Sequence, residues 1–176
     1  MSALLERLHK YKDDRGMMAN LRCILVDSKK HRAWPVLNRL GVAIDNDVAA
    51  FVAGLFATHP EGDSASSKNF GVTCKQIERA RGEEASDALS EKKKQLTPTE
   101  RRFQHILAAS KDEIFERVMR MVLMAKSQGV PVNYEQLETD LKRLSGDSKY
   151  WSDRTKTEWA ASFWTPGTPP ATEEDV

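Results

Sequence analysis

Apolar residues return every three or four positions through most of this chain, which is the pattern of amphipathic helices packed against one another. Leu4, Leu5 and Leu8 make the first stripe, and Met18, Leu21, Ile24 and Leu25 make a second after Gly16. Pro35 suits the first turn of a helix that carries Val36, Leu37 and Leu40 and closes at Gly41. Asp45, Asn46 and Asp47 then cap an apolar run, Val48 to Ala57, which reads as the most buried helix. His59-Pro60 stops it, because proline disfavours helical geometry in the residue before it.

The next residues, 61–70, are small, polar and aperiodic, and read as an exposed loop. A short helix is expected over Thr73 to Arg81. The charged stretch 82–97 follows as a solvated loop or a weakly held helix, with few apolar residues to hold it. Thr97-Pro98-Thr99-Glu100 is a helix start, with proline near its first position and a carboxylate in the positive first turn. The longest helix is expected over about Lys111 to Ser127, ended by Gly129. Tyr134 to Leu144 form another. Tyr150 to Trp164 form the last, whose tryptophans Trp151, Trp159 and Trp164 read as a buried seam rather than a platform for stacked bases. No segment alternates with the period of two that marks a strand. The expected fold is an all-α helical bundle in two small lobes. Residues 1–81 form the first, 82–97 a charged loop, 98–164 the second lobe and 165–176 a disordered acidic tail.

Charge changes this picture only through its distribution. The 176 residues hold 27 Lys and Arg against 26 Asp and Glu, a net +1. The tail carries Glu173, Glu174 and Asp175 and no cation, so removing those three negatives leaves +4 on residues 1–164. Any strong binding face must therefore arise by segregation. Two cysteines, Cys23 and Cys74, make no disulfide framework and read as small packing residues. The charged N-terminus has no signal-peptide core, and no run reaches the roughly 18 apolar residues of a membrane span. A cytoplasmic protein with no membrane partner is expected.

Catalytic chemistry finds no local support. His9, His31, His59 and His105 are far apart in sequence and none has a second ligand at metal spacing. Asp45-Asn46-Asp47 resembles the start of a calcium loop, but Ala49 and Ala50 stand where a ligand and a glycine belong. Phosphate-binding glycine loops and a nucleophile elbow are absent from the sequence. The expectation is a protein that is not an enzyme, with no cofactor, metal or small-molecule substrate.

The positive signal is a set of cations on helix faces. Arg15 and Arg22 lie two turns apart, with Lys30 beyond them. Lys75 and Arg79 share the short helix, Arg101 and Arg102 open another, and Lys111, Arg117, Arg120 and Lys126 punctuate the longest. The planar guanidinium fork grips phosphate through two parallel hydrogen bonds, which makes these faces candidates for nucleic-acid backbone contact. The competing reading is a solvated face of weak ion pairs. Cations in a helix's first turn oppose its dipole, so Arg101 and Arg102 are not placed for stability.

The order of short motifs resembles the CasB-type small subunit of the type I-E CRISPR Cascade complex. They are Arg15-Gly16 with Ala19, Leu21 and Arg22; Ala33-Trp34; Val48 through Ala57 ending at His59-Pro60; Glu100-Arg101-Arg102-Phe103; Val132-Asn133-Tyr134 with Leu137, Asp140 and Leu141; and Trp159-Ala160 with Phe163-Trp164. Cys23 departs from the pattern, standing where a second basic residue is expected. The resemblance implies a helical, non-catalytic subunit that pairs with a second copy of itself beside the backbone and large subunits. It also implies contact with crRNA, target DNA and the displaced single strand, with Arg22, Arg101 and Arg102 as the residues in matching motifs. A purely structural scaffold bridging protein neighbours is the alternative.

Overall fold

The computed structural model describes residues 2–62, 68–83 and 95–165. All but the first residue of the expected tail, most of the 82–97 loop and part of the 61–70 loop lie outside the described residues. Within them the chain is all-α. The helices are α1 (Ala3–Lys10), α2 (Arg15–Arg22), α3 (Trp34–Arg39), α4 (Asp47–Thr58), α5 (Phe70–Ala80), α6 (Pro98–Leu107), α7 (Ile114–Gln128), α8 (Tyr134–Ser145) and α9 (Lys149–Phe163). Two 3₁₀ turns, Cys23–Leu25 and Asp27–Ala33, join α2 to α3.

Side-chain caps start most of these helices by satisfying backbone N–H groups that have no intrahelical acceptor. Asn46 accepts from Ala49 N at the head of α4. At α6, Thr97 and Glu100 form a reciprocal capping box, with Pro98 in the first turn. Gly41 and Gly129 follow α3 and α7 with φ of 66° and 65°, the left-handed geometry that suits glycine.

The core runs through both halves of the chain. α4, buried from Ala49 to Ala57, lies between α1 and α2 on one side and α7 and α8 on the other. α5 packs on α6, α7 and α9, so it belongs by contact with the elements that follow it. A Cβ on Gly71 would lie 2.0 Å from the Trp159 carbonyl oxygen, so α5 meets α9 backbone against backbone. The exit of α4 is tied to the α7–α8 connection. His59 is buried with Nε2 2.7 Å from the Val130 carbonyl, Tyr134 donates its hydroxyl to the His59 carbonyl, and Gly62 bridges Val132.

Three expectations shift. α5 begins at Phe70 rather than Thr73, because Asn69 caps Val72 N while its amide donates to Glu158 O and Ser162 Oγ of α9. α7 begins at Ile114 rather than Lys111, because Glu113 folds back to accept from Ser110 N and Oγ, making a turn first. At 15 residues α7 also shares its length with α9. The tryptophan seam is reduced to Trp159, 1% exposed, while Trp151 and Trp164 are 42% and 36% exposed. Trp164 is the C-cap residue of α9, beyond its helical turns, and Trp151 sits in the first turn beside the Arg143 and Arg154 guanidinium groups.

Candidate functional site

α6 is fixed at both ends of its first turn. Thr97 Oγ1 donates to the buried carboxylate of Glu78 on α5 at 2.7 Å, and Thr99 N donates to Glu83 at 3.0 Å. Burial pushes the Glu83 carboxyl up, but hydrogen bonds from Arg81 and Thr99 outweigh it and hold the group below its ordinary range. Phe103 then points inward and stacks on Phe163, ring centroids 4.5 Å apart. That anchoring orients the rest of the helix, leaving Arg102 and His105 exposed on the side that faces α7.

Here α6 and α7 enclose a cleft of about 370 Å³. One wall comes from Arg102, His105 and Ile106, at i, i+3 and i+4. The other comes from Arg117, Arg120, Met121 and Met124, at i, i+3, i+4 and i+7. Ile106 and Met121 are buried and form the apolar floor. Arg117 is held 3.3 Å from Glu113 and Arg120 pairs with Glu116, each one turn back along α7. Hydrogen bonds from the Ser110 backbone and hydroxyl, reinforced by Arg117, hold the Glu113 carboxyl below its ordinary range. Arg102 makes no hydrogen bond or ion pair among the described residues.

Three of the sequence-derived candidates, Arg102, Arg117 and Arg120, are therefore brought together. The other eight do not line this cleft. Arg22 donates Nε to the Ala57 carbonyl at 2.8 Å, in the last turn of α4. Arg101 folds back so that Nε and Nη2 both reach the Leu96 carbonyl at 3.2 Å, which explains its tolerance of the helix N-terminus. Lys75 pairs with Glu78 at 2.8 Å, and Arg79 is exposed on the same helix. Lys111 pairs with Asp147 at 2.9 Å and holds that carboxyl below its usual value. Lys126 stands nine residues from Arg117, about half a turn round α7. Arg15 is exposed on α2, and Lys30 lies in the second 3₁₀ turn beside a separate groove.

That groove, about 330 Å³, is lined by Ile24, Trp34, Ile44, Phe51 and Phe115 with Lys30, Asp27 and Asp47 at its edge. Where α8 meets α9, Arg143 and Arg154 lie 4.9 and 5.8 Å from the Trp151 ring centroid, a cationic–aromatic cluster that sequence reading missed. Among the described residues no three His, Cys, Asp or Glu side chains converge as a metal site, and no helix is long and apolar enough to cross a membrane. Asn46 of the Asp45-Asn46-Asp47 run acts as a helix cap. Cys74 is buried in the core, which pushes its thiol up from the ordinary value and away from nucleophilic reactivity.

Fold and cleft together define an all-α protein with a concave, arginine-rimmed surface. The chain belongs to the family of CRISPR-associated protein Cse2, whose profile matches residues 17–164. Its fold is similar to that of a Cse2-family CRISPR-associated protein from Thermus thermophilus, at TM-score 0.65 and 18% identity, over 92% of this chain and 93% of the other. It is similar to a structure of CasB from the same species at TM-score 0.63 and 16% identity, covering 92% and 93%. It is also similar to CasB from M. ruber at TM-score 0.60 and 18% identity, covering 92% of each chain. No curated protein matches the chain.

Proposed function

We propose that this Cse2-family chain is a non-catalytic small subunit of a cytoplasmic type I-E Cascade complex. In this reading it grips nucleic-acid backbone through the α6–α7 cleft, beside crRNA, target DNA and the displaced strand. The supporting observation is the convergence of Arg102, Arg117 and Arg120 on one concave surface. In RNA-guided complexes base pairing reads the sequence, so a subunit that steadies the opened strands needs charge and shape rather than base-specific contacts.

The mechanism is electrostatic. Each arginine that neutralises a phosphate releases condensed counterion, with a salt slope of about −0.7 per contact on single strands. Three contacts give a slope near −2 and weak binding by the isolated chain. Tethering inside an assembly supplies the effective concentration that makes such contacts sufficient. The other candidate cations lie outside the cleft, and Arg22 and Arg101 are bonded to the Ala57 and Leu96 carbonyls.

A second reading is a scaffold that bridges protein neighbours or a second copy. The apolar groove at Trp34 and Ile44, 39% and 50% exposed, favours a protein contact on that face. The two roles fall on different surfaces and are separable. Single-strand binding across a salt series, for the native chain beside R102Q/R117Q/R120Q, is the test. The expected result is a loss of about tenfold or more at low salt and a slope shallower by about 2. A folded triple variant with unchanged affinity and slope leaves the scaffold reading in its place.

A further inference from the structure

The last described residues of the chain are clamped against α6, the helix that carries Arg102 and His105 into the cleft. Trp164 donates Nε1 to Glu100 Oε1 at 3.0 Å, and its ring centroid lies 5.3 Å from that of Phe103. Thr165 donates its hydroxyl to the Ala161 and Ser162 carbonyls, both at 3.3 Å. Beyond Thr165 the sequence holds Glu173, Glu174 and Asp175 and no Lys or Arg. Glu173 comes eight residues after Thr165, a span of up to about 26 Å. Half the circumference of a helix is about 17 Å, so the three carboxylates have the reach to enter the cleft even from the far side of α6.

We infer that the α6–α7 cleft receives the chain's own acidic segment, with Glu173, Glu174 and Asp175 against Arg102, Arg117 and Arg120. Other cations near the exit of α9 are already engaged: Arg101 is bonded to the Leu96 carbonyl and Lys75 to Glu78. Arg102 has no partner among the described residues. Arg117 and Arg120 each meet one glutamate of their own helix. A guanidinium has five N–H donors, so both keep donors for a second carboxylate. Bonds between guanidinium and carboxylate are charge-assisted and suit the paired geometry of both groups. A short tether supplies an effective concentration in the millimolar range, so a contact too weak to form between molecules is populated within one. The contact stands on charge and reach alone. Its consequence, competition with a strand for the same arginines, rests on the nucleic-acid reading of the cleft. A site covered about two-thirds of the time binds its ligand about threefold more weakly.

The test compares the full native chain with E173Q/E174Q/D175N, which alters none of the described residues. Without nucleic acid, the side-chain Nε–Hε NMR signals of Arg102, Arg117 and Arg120 should move on neutralisation while that of Arg22 stays in place. The difference should survive about tenfold dilution, as a contact within one molecule does. A labelled strand of about 15 thymidines should then bind the neutralised variant about threefold tighter at low salt. Adding R102Q should shrink that gain to about 1.5-fold or less, which separates a covered cleft from a general change in net charge. Unmoved arginine signals overturn the docked segment, whatever the strand does, and leave the backbone grip standing. A difference that fades on dilution assigns the segment to a second copy and overturns the contact within one chain. Moved signals with no strand bound by either chain support the contact and overturn the nucleic-acid reading instead.

Discussion

The cations at the helix C-termini and those around the α6–α7 cleft are the same residue types, yet their surroundings assign them opposite work. Arg7 donates to the Leu40 carbonyl at the end of α3, Arg22 to the Ala57 carbonyl in the last turn of α4, and Lys156 to the Ala109 carbonyl just past α6. Each meets an orphan acceptor at the negative end of a helix, where a cation satisfies the carbonyl and complements the dipole. Arg102, Arg117 and Arg120 find no such acceptor; two pair with glutamates on their own helix and one has no partner among the described residues. Exposed pairs of that kind are worth little to stability. The first group is bonded into the fold, and the second is the group on which the proposed strand contact rests.

Three substitutions sharpen or break this contrast. The largest effect is expected for Gly41→Ala. Gly41 has φ of 66°, and an added Cβ would collide with the Arg7 guanidinium that caps Leu40. Left-handed strain and a lost cap together should cost about 2–3 kcal/mol in denaturant unfolding. A loss below about 0.5 kcal/mol would show that Arg7 is not held there.

Next, Arg22→Met should lower stability by about 1–2 kcal/mol through the unmade bond to Ala57, while single-strand affinity per folded molecule stays within about twofold. Unchanged stability with weakened binding would move Arg22 into the ligand group.

The smallest effect concerns an anion used by the fold. Asp140 is 1% exposed and accepts from Trp159 Nε1 at 2.7 Å and Gln136 Nε2 at 2.9 Å. Burial raises its carboxyl above the usual value, and the two hydrogen bonds only partly offset this. The folded state therefore holds the proton more tightly than the unfolded chain. Its contribution is fully present below the ordinary carboxylate value and is lost as pH rises through the raised native one. Asp140→Asn should flatten that limb of the stability–pH profile. An unchanged profile would place the titration elsewhere.

Much of the fold was legible because its rules are local. Stripes at i+3 and i+4, the caps at Asn46 and Thr97, and the breaks at Pro60, Gly41 and Gly129 all act within a turn or two of the residue that encodes them. Where a distant element decides, legibility ends. α5 starts at Phe70 because α9 accepts the Asn69 amide, 89 residues on. The sorting of cations fails for the same reason. The acceptors of Arg7, Arg22 and Lys156 lie 33, 35 and 47 residues away, so no window of sequence separates them from Arg102. The cleft itself combines two ridges, each visible as a spacing, whose facing is created only by the packing of α6 on α7.

The most direct test of the contrast is where an unpaired strand touches the chain. A strand carrying 4-thiothymidine, crosslinked by near-ultraviolet light to the full chain and mapped by peptide mass spectrometry, should label peptides of α6 and α7, around Arg102 and Met124. Label concentrated instead at the end of α2 and the end of α4, around Arg22 and Ala57, would contradict the division between the cations that hold the fold and those that hold the strand.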